Sequence, residues 1–135
     1  MKSIWAVVAG VLAIVIVTTL VDIGLHVVHV FPPMNRPIDD AQALLASSYR
    51  LVIGIAGAYL TARLAPDRPM RHALILGGVG AVLGLAGLAA TWNLGLGPRW
   101  YPVSLVVLAL PECWAGGRIY GRQPRARAAA KSARA

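Results

Sequence analysis

Asp22, Arg50 and Glu112 are charged side chains set inside long apolar runs of a 135-residue chain. A charge held at the centre of a lipid bilayer costs about 2.5–3.5 kcal/mol on insertion scales, so each needs either a partner or a function. His26 follows Asp22 by four residues and His29 follows His26 by three, a spacing that puts all three on one helical face. Such a ridge can coordinate a transition metal or relay protons between pH 5 and 8. The plainer alternative is a pair of interfacial histidines satisfied by water, Tyr49 or backbone, and no metal or other cofactor is expected. Glu112 comes directly after Pro111. Proline frees a carbonyl one turn back and can bend a helix, and a carboxylate beside a bend suits proton or cation handling; the competing reading is a carboxyl that only hydrogen-bonds a facing helix.

Other chemistries are excluded by what the chain lacks. There is no nucleophile elbow, no His-Glu-x-x-His and no glycine loop ending in Lys-Ser/Thr, so no catalytic set supports an enzyme. A single cysteine, Cys113, rules out an intrachain disulfide framework, and three histidines without a Cys-x-x-Cys pair rule out the usual structural zinc sites. Cys113 reads as a small buried apolar residue.

The elements that must position these residues are membrane spans. The chain is 58% hydrophobic with mean hydropathy +0.67 and carries 13% charged residues, a composition outside the range of ordinary water-soluble domains. Residues 4–21 hold nothing more polar than Thr18 and Thr19, which meets the length for a spanning helix and exceeds the apolar core of a cleaved signal peptide. This helix is expected to continue to Val30 and stop at Phe31-Pro32-Pro33. A second starts at Asp39-Asp40, where a carboxylate can accept from the free N–H groups of the first turn, and runs to about Leu64. A third covers about 72–92 and a fourth about 101–120, with Pro66-Asp67-Arg68-Pro69 and residues 93–98 as punctuation. Short connections make consecutive helices antiparallel neighbours. The expectation is an all-α, up-down four-helix integral membrane bundle over residues 1–120.

Basic residues orient it. Lys2, Arg63, Arg68, Arg71, Arg118, Arg122, Arg125, Arg127, Lys131 and Arg134 fall on one side of this map, against Arg36 and Arg99 on the other. The positive-inside rule then puts both termini in the cytoplasm. Residues 121–135 form a basic tail, read as disordered and drawn to anionic lipid; no aromatic interleaving or nucleic-acid fold accompanies the charge, so nucleic acid is not an expected partner. Measured from the outer surface at about 1.5 Å per residue, Asp22 and Arg50 lie at similar depth, which makes an ion pair between the first two helices reasonable. Such a pair fixes register more than it adds stability.

Gly77, Gly80, Gly84 and Gly87 in the third span and Gly54 and Gly57 in the second allow backbones to approach closely, either within one chain or between copies. The segments Tyr49-Arg50, Gly57 through Pro66, Pro69 through Gly77, Gly97 through Pro102, Leu110-Pro111 and Gly116-Gly117-Arg118 resemble a group of small bacterial four-span inner-membrane proteins to which no activity is assigned. The resemblance covers about the last two-thirds of the chain and implies a bacterial inner membrane and four spans. Small multidrug transporters share length and span count, but their embedded glutamate lies in the first helix, where this chain has Asp22 near the outer end. The expectation is thus a non-enzymatic protein acting by helix association, as a homo-oligomer or as an accessory subunit beside another membrane protein. The alternative is a small oligomeric proton- or cation-linked transporter or channel using Glu112, with Asp22 and His26.

Overall fold

A computed structural model describes all 135 residues apart from the side chain at position 126. Five helices follow in order: α1 (Lys2–Val27), α2 (Asp40–Leu64), α3 (Pro69–Thr91), α4 (Trp100–Gly121) and α5 (Pro124–Arg134), with no strand among the described residues. Three of them, α1, α2 and α3, are long and apolar enough to cross a membrane. α4 is not in that set, because Pro102, Pro111, Glu112 and the Gly116-Gly117-Arg118 end dilute its apolar run.

Local chemistry sets the boundaries. α1 stops at Val27, short of the expected residue 30, and the stop is a Schellman turn. The Val30 N–H bonds the Leu25 carbonyl and the His29 N–H bonds the His26 carbonyl, with His29 in the left-handed region at φ 59°. α2 begins where Asp39 accepts from the Gln42 N–H at 2.8 Å while Gln42 accepts from the Asp39 N–H at 3.1 Å, a reciprocal capping box. α3 starts at Pro69, three residues ahead of His72, since proline's fixed φ suits the first helical position. The tail is helical in α5 where disorder was expected. Its Ala, Arg and Lys residues are strong helix formers, and the helix is exposed at every described side chain.

α4 packs on both α3 and α2, and α1 lies against α2 and, over less of its length, α3. The centre holds Ala58, Ala62, Ala73, Leu76 and Cys113, so close backbone approach replaces side-chain bulk. Gly116 and Gly117 carry it furthest. A Cβ on Gly116 would meet the Ile55 carbonyl, with Ala58 Cβ at 2.7 Å and the Tyr59 nitrogen at 2.8 Å, and one on Gly117 would meet Ala73 Cβ at 2.9 Å. One end of the bundle is tied by the Ile38 N–H to the Leu96 carbonyl at 3.0 Å and by Trp100 Nε1–H to Asp40 at 2.7 Å. At the other end the Tyr59 hydroxyl donates to Gln123 at 2.9 Å. Large apolar side chains, among them Leu12, Ile16, Leu20, Val52, Val82 and Val107, are more than half exposed on the outside. That surface is the reverse of a water-soluble bundle's and suits a lipid solvent.

Candidate functional site

The polar residues divide into two groups. In the first, Arg50 Nη2 donates to Asp22 Oδ2 at 2.6 Å, and the Tyr49 hydroxyl donates to Asp22 Oδ1. Both carboxylate oxygens are thereby engaged, and the guanidinium also stands 5.9 Å from the Tyr49 ring centre. α1 and α2 bring these groups together although Asp22 lies little more than a turn before the end of α1 and Arg50 nearly three turns into α2.

The histidine ridge does not form. His26 Nδ1 lies 2.7 Å from the backbone carbonyl of Asp22, which makes it the donor there, and its ring meets the edge of Phe31 at 5.6 Å between centres. His29 falls beyond the end of α1 in the left-handed turn, off the face that carries Asp22 and His26. Among the described residues no group of three or more His, Cys, Asp or Glu side chains gathers as metal ligands.

Glu112 forms the second group. α4 runs through Pro111 as one helix and lodges the Glu112 carboxyl against Gly54 of α2, where a Cβ would collide with it. Among the described residues this carboxyl makes no hydrogen bond and no ion pair. Arg50 and Gly54 are one turn apart on α2, about 6 Å along its axis, so the two polar groups are neighbours in depth. Both Arg50 and Glu112 line one cavity of ≈ 270 Å³ walled by α1, α2, α3 and α4, with Thr18, Ser47 and Cys113 on its surface. Arg50 Nε is buried and without a hydrogen-bond partner. The arrangement places a compensated cation and an uncompensated carboxyl in one largely apolar chamber.

The glycines are used inside the chain. A Cβ on Gly77 would come within 3.0 Å of Cys113 Cβ, one on Gly84 within 3.0 Å of Val106 and one on Gly80 within 3.7 Å of Ala109, so all three face α4. Gly57 receives Ile14 of α1. Gly87 meets nothing within 4 Å and takes no part in this packing. Sequence reasoning missed Tyr49 as a donor to Asp22, Gly10 against Thr61, and the Gly116-Gly117 pair. Two adjacent glycines one turn after Cys113, inside an apolar helix, are the signal that marked the last of these.

Gly54→Ala tests the seat of the carboxyl. The obstructing atoms are the free end of a flexible side chain, so the substitution should turn Glu112 further into the cavity and change stability by less than about 1 kcal/mol. Labelling by a hydrophobic carbodiimide, followed by mass spectrometry, should be faster at Glu112 in the variant; an unchanged rate would show that Gly54 does not hold the group.

No protein-family model, curated protein or solved structure matches this chain.

Proposed function

We propose that the chain is a four-span, non-enzymatic protein of the bacterial inner membrane, with both termini cytoplasmic, whose working part is the interior cavity and whose role is proton- or cation-linked movement at Glu112. One observation carries this: Glu112 faces the cavity without a partner while Arg50 beside it is neutralised by Asp22. A lone carboxyl in an apolar chamber is the group from which a proton or cation can be taken up and released. α4 crosses with the other three helices in this reading, since it carries Glu112 and packs along α2 and α3. The excess of basic residues near α5 and the α2–α3 turn supports the orientation, and α5, with Arg125, Arg127, Lys131 and Arg134, rests on anionic headgroups.

Glu112→Gln keeps the shape and removes the charge. In proteoliposomes the substitution is expected to reduce pH-driven cation flux to the level of protein-free vesicles while leaving the protein folded. Association, with a second copy or a larger assembly, is the second reading, favoured by the open space at Gly78 and Gly87 on α3. Unchanged flux in Glu112→Gln, together with a reproducible heteromeric mass in native mass spectrometry of protein from its own membrane, would replace the first reading by the second.

A further inference from the structure

The cavity walls say what kind of cation would fit. A hard metal ion needs about six or more oxygen ligands, or a near-octahedral shell, and the chamber offers one carboxyl, Glu112, and the hydroxyl residues Thr18 and Ser47 amid side chains such as Ile14, Leu76, Leu105 and Leu108. An anion would meet an Arg50 whose charge Asp22 already balances at 2.6 Å, with the Glu112 carboxyl lining the same chamber. Apolar walls with one charged group to fix orientation match an organic ion that buries a hydrocarbon body. The chamber is also open at its side. Val15 of α1 and Leu83 of α3 both line it and are 53% and 57% exposed, which makes the seam between these two helices the candidate way in from the surrounding apolar phase.

Resting on the reading of Glu112 as the working carboxyl, we propose that the cavity binds a lipophilic organic ammonium ion. It arrives from the lipid between α1 and α3, sets its charged end against Glu112 and packs its hydrocarbon body on the chamber wall. The volume of ≈ 270 Å³ admits one ring and a small charged head.

The test uses the full chain in lipid nanodiscs at fixed neutral pH, with empty nanodiscs as background. The probes are benzyltrimethylammonium and its uncharged carbon isostere, neopentylbenzene, followed by titration calorimetry. Glu112→Gln should weaken the ammonium probe by about thirtyfold or more and shift the isostere by less than about twofold, as loss of a buried charge partner should. Leu83→Trp, which narrows the side opening, should slow association of the ammonium probe measured by stopped flow without changing the fold seen by circular dichroism. Equal affinity of wild type and Glu112→Gln, or binding no greater than to empty discs, overturns the proposal; an association rate unmoved by Leu83→Trp overturns the lateral path. If Glu112→Gln abolishes pH-driven flux but the ammonium probe does not bind, the ligand class fails and the role of Glu112 stands. If neither effect is seen, both fail.

Discussion

Gly116→Ala, the smallest possible addition, is expected to lower the stability of the bundle by about 2–3 kcal/mol, near the upper end of typical overpacking costs. The position has no slack. The atoms a Cβ would strike include the Ile55 carbonyl and the Tyr59 nitrogen, both backbone of α2, so no rotamer change clears the space and α4 must move off α2 as a body. A Cβ on the adjacent Gly117 would lie 2.9 Å from Ala73 Cβ and 3.0 Å from Met70 Sδ, so α3 is close on that side and leaves α4 little room to move away from α2. In lipid, where apolar side chains gain little from leaving their solvent, this close contact supplies much of the association between helices. Gly87→Ala is the control. Nothing lies within 4 Å of its added methyl, and alanine's better helix propensity should raise stability by up to about 1 kcal/mol. Unfolding by sodium dodecyl sulfate in mixed micelles, followed by tryptophan fluorescence, reads both; equal shifts in the two variants would mean that Gly116 is not where the helices meet.

How much of this was legible depended on whether the information was local. Asp39 announced the start of α2 because a carboxylate before an apolar run is a cap wherever it occurs. The meeting of Asp22 with Arg50 was anticipated by counting residues down two consecutive helices, although α1 ends three residues earlier than that count assumed. The end of α1 was not legible in the same way: the left-handed residue that closes it is His29, where glycine is the usual marker, and nothing punctuates the run before Pro32. The same gap dissolved the histidine ridge, because helical spacing applies only while the helix lasts. The seating of Glu112 on Gly54 joins α4 to α2, helices that are not consecutive, and no local pattern states their rotation. For the tail, charge density suggested disorder while the propensities of Ala, Arg and Lys favoured the helix that forms.

The second large effect is expected at Arg50. Arg50→Met removes the guanidinium and leaves Asp22 with the Tyr49 hydroxyl as its remaining side-chain donor, and an unpaired buried charge of this kind costs about 3–5 kcal/mol. The side chains of the pair are 31% and 30% exposed on the bundle. On a surface in water that exposure would screen the interaction and shrink the cost; in the four-span arrangement proposed above the pair lies within the membrane, where screening is weaker and the larger figure is expected. Asp22→Asn alone should also destabilise, by leaving Arg50 uncompensated beside the cavity. The double variant Asp22→Asn/Arg50→Met is the decisive measurement, because it carries no unpaired charge at this pair and keeps a group that can accept from Tyr49. It should recover most of the stability lost in Arg50→Met, giving a coupling energy of about 2 kcal/mol or more in a double-mutant cycle. Additive losses would mean that each group is held independently. A recovered double variant that stays folded would further separate the structural role from the functional one. With Arg50 gone, Glu112 becomes the chamber's one charge, so a flux that survives in the double variant and disappears on adding Glu112→Gln would assign the ion pair to register and the carboxyl to function.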